Sequence, residues 1–229
     1  MKTQVMTAVG LALLFAGCND GSKKDSVATV EVDWNNDGII DQVTTLTYAR
    51  KSGLLLTQEW DYTDPTAEDL IVNYEYDDNG FQVREEMTNV IDGTLVSAID
   101  QVNDERGNVL ERRHDYSGDG TINFIEYRTY SVDNDVTREA YDFNGDGVIN
   151  RERLWTFASP GQFATRSFDD NGNGVFEYYE TVGYEPGNRR ENHFLIDRNG
   201  DGNFDEEYFA SWTDNADGTV TRLLERDID

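Results

Sequence analysis

The chain has 229 residues, of which 46 are acidic and 19 basic, giving a formal net charge of −27. This charge repels phosphate backbones and anionic lipid surfaces, so it argues against nucleic-acid binding and makes divalent cations the natural counter-charge. Only 37% of the residues are hydrophobic, and 20 glycines against 3 prolines indicate many tight turns.

The first 17 residues have the pattern of an export signal. Lys2 precedes an apolar run over residues 5–16, which is too short to span a bilayer, and small residues follow. The run ends in Leu14-Phe15-Ala16-Gly17-Cys18, and Cys18 is the single cysteine of the chain. This ending resembles a bacterial lipobox, which implies that Cys18 is lipidated after cleavage. An ordinary signal peptide with an incidental cysteine is the alternative.

The signal is followed by a short polar segment and then by the body of the chain. We predict a signal peptide over 1–17, a lipidated cysteine and tether over 18–27, and a single repeat domain over 28–229. With one cysteine no internal disulfide can form, so an exported domain of this kind needs another source of stability. A bound metal is one option.

An aspartate-rich loop recurs five times in the body of the chain. Its copies begin at Asp33, Asp115, Asp142, Asp169 and Asp197, and each reads Asp-x-(Asn/Ser)-x-(Asp/Asn)-Gly. The last four begin 27, 27 and 28 residues apart, and the first gap of 82 residues is close to three such periods. A fixed period of this size indicates a repeat architecture. Two units in the gap have lost the loop, and 77–80 is interpreted as the remnant of one.

The residues between the loops have the pattern of paired strands. An apolar residue stands seven places after each first aspartate and an aromatic residue eight places further on, which is a spacing that puts both on one face of a strand. Strands are predicted over 54–62, 70–76, 81–89, 109–116, 136–141 and 163–168. The predicted fold is all-β, an antiparallel meander of about seven hairpin repeats of ~27 residues joined by calcium loops. An open sheet, a barrel, a spiral and a propeller-like ring all remain compatible with the pattern.

The loops carry the oxygen ligands that Ca²⁺ prefers. Side chains at positions one, three and five converge in such a loop, glycine at six permits the bend, and an oxygen at nine completes the near side. The loops resemble the EF-hand loop and integrin-type propeller loops. An EF-hand has a bidentate Glu at position twelve, and only Glu126 and Glu180 match it here. The residues on either side of each loop have the pattern of strands, not helices, so β-framed calcium sites are expected. The predicted metal ligands are Asp33, Asn35, Asp37, Asp41, Asp115, Ser117, Asp119, Asn123, Glu126, Asp142, Asn144, Asp146, Asn150, Asp169, Asn171, Asn173, Glu177, Glu180, Asp197, Asn199, Asp201 and Asp205.

The motifs of common enzymes do not occur in the sequence. The only cysteine belongs to the lipobox, and His114 and His193 make no zinc motif, so we predict that the protein is not an enzyme. The expected function is a calcium-binding, lipid-anchored envelope protein with a structural or adhesive role, at the outer membrane. A carbohydrate- or protein-binding module is the alternative, in which Trp60, Trp155 and Trp212 with several Tyr would form a sugar-binding surface. Core packing is the favoured role of Trp212, and Trp34 at loop position two is expected to point outward. A glycan-active hydrolase is a third hypothesis. A weaker resemblance to tyrosine-aspartate repeats rests on Tyr76 and Asp77.

Overall fold

The regular elements of the described residues, 25–227 of a computed structural model, are fifteen β-strands. Their bounds are Ser26–Val32 (β1), Gln42–Tyr48 (β2), Leu55–Tyr62 (β3), Leu70–Tyr76 (β4), Gln82–Asn89 (β5), Leu95–Asn103 (β6), Val109–Asp115 (β7), Phe124–Tyr130 (β8), Val136–Asp142 (β9), Arg151–Ser159 (β10), Gln162–Asp169 (β11), Tyr178–Tyr184 (β12), Glu191–Asp197 (β13), Glu206–Asp214 (β14) and Val220–Asp227 (β15). In this part of the chain no helix is long and apolar enough to cross a membrane.

The strand order in the sheet is the order of the chain, from β1 to β15. The pairings resolved by register are antiparallel, as in β1 with β2 and β14 with β15. Among the described residues no pairing joins β15 back to β1, so the meander is open. The predicted all-β antiparallel meander is therefore confirmed, and the open sheet is the form it takes.

Backbone contacts divide the chain into two compact units, which are described separately. The first holds β1 to β6 with residues 112–123, and the second holds residues 104–111 with β8 to β15. In the first unit Val72 is almost fully buried, and Ala28 and Ala98 are buried as well. In the second unit Ala140 is fully buried, and Val182 and Ala210 are buried. These small apolar side chains suit a sheet in which long side chains cover their neighbours.

Long side chains form cross-strand ladders on one face of the second unit. Arg166 pairs in register with Trp155 on one side and Glu180 on the other, and it forms an ion pair with Glu180. Its guanidinium also lies 5.6 Å from the ring centre of Phe168 and 5.8 Å from that of Tyr178. Stacking of this kind covers aromatic rings without a second layer of secondary structure.

A second set of bonds ties four of the hairpins to the ones before them. The hydroxyl of Tyr184 donates to the backbone carbonyl of Phe163 at 2.8 Å, and the indole N–H of Trp212 donates to that of Glu191 at 2.7 Å. Tyr76 and Tyr130 make the equivalent bond, each to a carbonyl 21 residues upstream. At these four junctions an aromatic residue therefore fastens adjacent hairpins through a part-buried polar tip.

Three details differ from the sequence interpretation. Residues 77–80 form the turn between β4 and β5, with the N–H of Gly80 donating to the carbonyl of Asp77, so their interpretation as a remnant of a calcium loop was wrong. Strand β6 was not predicted. Strand β1 begins at Ser26, inside the segment predicted as a tether. The predicted signal peptide and Cys18 lie outside the described residues.

Candidate metal loops

The five loops join an odd-numbered strand to the next even-numbered strand, and their first aspartate organises each of them. In the third loop one carboxylate oxygen of Asp142 accepts the N–H of Gly145 at 2.8 Å, and the other accepts that of Gly147 at 2.7 Å. The first aspartate of every loop accepts the N–H groups of positions four and six in this way. Each loop is therefore folded around one carboxylate.

Two further contacts recur in every loop. The side chain at position nine accepts the N–H of position two, as between Asn150 and Phe143 at 2.6 Å, which closes the loop. The side chain at position five accepts the N–H of position seven, as between Asp146 and Val148 at 2.8 Å. The same bonds form in the other four loops. Positions one, five and nine are thus brought into one closed turn by the backbone.

Burial and hydrogen bonding oppose each other at the first aspartates. Asp142 has an exposed fraction of 0%, and Asp115 and Asp197 are also buried. Burial acts to raise the pKa of Asp142, but the N–H donors of the loop outweigh it and lower the pKa below its usual value. The pKa values of Asp115 and Asp197 are lowered by the same balance. These carboxylates therefore stay ionised at neutral pH inside the loop.

Glycine at position four lets one loop lie against the loop before it. A Cβ atom on Gly200 would lie 2.0 Å from the backbone oxygen of Phe176 in the fourth loop, and one on Gly172 would lie 2.2 Å from that of Ile149 in the third. Within the first unit, a Cβ on Gly118 would lie 2.0 Å from the oxygen of Leu95. Position four of the first loop is Asn36, with φ 59°. Glycine is therefore set by stacking and not only by a positive φ.

The units that lack the repeat motif keep its register. Asp169, at position one of its loop, pairs with Glu152, which is position eleven of the loop before it. Asp61 pairs in the same way with Val43, position eleven of the first loop, so Asp61 holds position one of a degenerate loop. The N–H of Tyr62 donates to the carboxylate of Asp69 at 2.8 Å, which is the bond from position two to position nine. Thr88 holds position one of the other degenerate unit. The sequence pattern missed the loop that begins at Asp61 because Pro65 replaces the acid at its position five.

Glu126 and Glu180, the two predicted position-twelve ligands, lie within strands β8 and β12. Both are buried, and they form ion pairs with Arg128 and Arg166 respectively. Within residues 25–227 no group of three or more His, Cys, Asp or Glu side chains is gathered so as to hold a metal. The side-chain oxygens at positions one, three, five and nine of each loop are a mixed set of carboxylate and amide groups, with one hydroxyl, Ser117, in the second loop.

The aromatic residue at position two of the first loop lies on the surface. Trp34 has an exposed fraction of 64%, and its ring centre lies 6.1 Å from that of Tyr62, which holds the same position in the next unit. By contrast, Trp212 is half-buried beneath Arg190 and Arg222. The two tryptophans therefore lie as the sequence interpretation placed them, one outward and one packed.

Comparisons with known proteins give a distant likeness at most. No family model matches the chain. No curated protein matches it. A porin-like protein from Bacteroides uniformis is similar in structure at 10% identity and a TM-score of 0.36, over 91% of this chain and 90% of that one. The Tc holotoxin pore of Photorhabdus luminescens is similar at 10% identity and a TM-score of 0.21, over 88% of this chain but 16% of that one. Scores this low support no conclusion about function.

Proposed function

We propose that this protein is a calcium-binding, lipid-anchored component of the bacterial cell envelope, at the outer membrane, with a structural or adhesive role and no catalytic one. The observation that carries the proposal is the recurrence of one loop with the same hydrogen bonds at five connections of the meander. A plain turn needs no buried, ionised carboxylate, whereas a cation site does.

The donor set fits Ca²⁺. Each loop offers the side-chain oxygens of positions one, three, five and nine, with no nitrogen or sulfur ligand among them. A carboxylate has about four lone-pair sites, and Asp142 accepts the N–H groups of Asn144, Gly145 and Gly147, so about one site is left for a cation. Ca²⁺ accepts such mixed and flexible oxygen sets, whereas Mg²⁺ demands stricter octahedral geometry. Positions one, three, five and nine would hold the ion. Glu126 and Glu180 already form ion pairs with Arg128 and Arg166.

Calcium would act on stability. Ionised carboxylates within one loop repel each other, and the net charge of −27 opposes compact packing throughout. A site filled at a hundred times its dissociation constant stabilises a fold by about 2.7 kcal/mol. The buried apolar side chains of this sheet are small, so several filled calcium sites would decide whether the array of hairpins is rigid.

The test is a thermal melt of residues 19–229 in excess EGTA and in millimolar CaCl₂, with a calorimetric titration of calcium. We expect a large rise in Tm with calcium and more than one binding site. The matched control is a chain in which Asp37, Asp119, Asp146 and Asp201, the acids at position five, are changed to Asn, which should reduce both effects. An unchanged melt with no heat of binding would show that the loops are plain turns.

The anchor is proposed on the lipobox pattern at Cys18, and the test is phase partitioning in a cloud-point detergent. The full-length protein expressed in bacteria should enter the detergent phase, and Cys18→Ser should move it to the aqueous phase. Equal partitioning of the two proteins would refute lipidation.

A further inference from the structure

A shallow hollow opens on the ladder face of the second unit, away from the metal loops. Its volume is about 270 Å³, and it is lined by Val136, Glu139, Trp155, Phe157 and Phe163 from strands β9, β10 and β11. Phe157 and Phe163 are opposite each other in register, so their side chains share a face with Trp155. The hollow therefore has an aromatic floor of three rings.

One carboxylate forms the polar side of the hollow. Glu139 has a side-chain exposure of 19%, one of its oxygens accepts the hydroxyl of Tyr141 at 3.0 Å, and the other lies 3.4 Å from Nε of Arg128. A carboxylate has about four acceptor sites, so part of its capacity stays open to a ligand. A ligand that fits must therefore offer hydrogen-bond donors beside a flat apolar surface.

The surroundings of the hollow select against ions. Arg128 lies beside Glu139 while it also pairs with Glu126, and the guanidinium of Arg166 lies 5.6 Å from the ring centre of Phe163, so a cation in the hollow would meet two arginines. An anion would meet Glu139 and the field of a chain with net charge −27. A neutral ligand is thus favoured over either.

We infer that this hollow binds a neutral saccharide, with a sugar ring stacked on Trp155 and a hydroxyl donated to Glu139. The apolar C–H face of a pyranose ring matches the aromatic floor, and its hydroxyls supply the donors that the carboxylate lacks. A few polar groups within a mostly apolar, aromatic lining is the usual composition of small-molecule sites. The lining residues lie outside the metal loops, and the site would give the array a means of attachment to glycans.

The test is a fluorescence and calorimetric titration of the full chain, in CaCl₂, with cellohexaose and maltohexaose as neutral probes, oligogalacturonate as the anionic probe and choline as the cationic one. At least one neutral probe should quench tryptophan fluorescence on binding. Trp155→Ala should weaken its affinity by about tenfold or more (about 1.4 kcal/mol). Trp34→Ala, which removes the exposed tryptophan of the first unit, is the matched control and should bind like the parent chain.

Glu139→Gln keeps the shape of the hollow and guards against a folding defect in Trp155→Ala. Its affinity for the neutral probe should fall by severalfold while its melting temperature stays close to that of the parent chain. The inference is overturned if neither neutral probe binds, if oligogalacturonate or choline binds more tightly, or if Trp34→Ala loses binding that Trp155→Ala keeps.

Discussion

Replacing Gly200 with alanine tests whether the stacked loops stabilise the array. Gly200 has φ 70°, and a Cβ atom there would lie 2.0 Å from the backbone oxygen of Phe176. A non-glycine residue in the left-handed region costs roughly 1–2 kcal/mol. Forcing an extra carbon into a packed site costs roughly 1–3 kcal/mol more. We therefore expect Gly200→Ala to lower the free energy of unfolding by about 2–5 kcal/mol.

Gly202 supplies the matched control within the same loop. Its φ is 87°, so alanine is strained there too, but a Cβ atom would meet nothing within 4 Å. Gly202→Ala should therefore cost only the backbone strain, about 1–2 kcal/mol. The assay is urea unfolding followed by circular dichroism, in EGTA and again in CaCl₂, with the difference between the two variants as the measured quantity. If the two variants lose equal stability in both conditions, the stacking contact between loops does not contribute.

Three other substitutions probe the loops and the bonds between hairpins. Asp142→Asn removes the charge from a fully buried acceptor of several N–H groups, so it should lower the free energy of unfolding in urea by about 1.5–3 kcal/mol. Asp33 is the half-buried equivalent in the first loop, and Asp33→Asn should lower it by less. Glu206 is held by Arg198 and by Tyr208, which lower its pKa from 4.5 to about 2, so its stabilisation is present above pH 4.5 and is lost as the pH falls toward 2. Glu206→Gln should therefore flatten the dependence of the unfolding midpoint on pH in that window, and an unaltered slope would contradict the assignment. Tyr184→Phe should cost about 1 kcal/mol through the lost bond to Phe163, whereas Tyr179→Phe on the exposed surface should cost nothing measurable in the same thermal melt.

The fold could be predicted to a large extent because each unit repeats the same sequence pattern of loop, strand, turn and strand. Strand β4 matches the predicted range 70–76, and β9 and β11 each match to within one residue at either end. The alternation of apolar and polar residues and the fixed period were sufficient, since every strand pairs with its neighbour in sequence. Strand β6 was missed because the turn before it, 90–94, is too short to resemble the other loops.

The lost loops were harder to place because a unit has two turns of similar composition. Residues 77–80 contain Asp, Asn and Gly like the metal loops, yet they connect the other ends of the strands. Asp61 and Thr88 lie 28 and 55 residues after Asp33, so the period of the repeat already pointed to them, and the cross-strand register shows that they hold position one. The environment of Glu126 and Glu180 could not be read either, because their arginine partners are fixed by strand register and rotamer. The set of metal ligands remains a prediction.

The order of the strands has a mechanical consequence. Each strand is hydrogen-bonded only to the strands before and after it in the chain, so a pulling force applied to the two ends meets one hairpin at a time. Releasing a unit of 27 residues would lengthen the chain by roughly 90 Å, from about 3.3–3.6 Å per extended residue. An array of this kind yields in steps and re-forms in steps, so it absorbs work gradually where a closed domain would fail all at once.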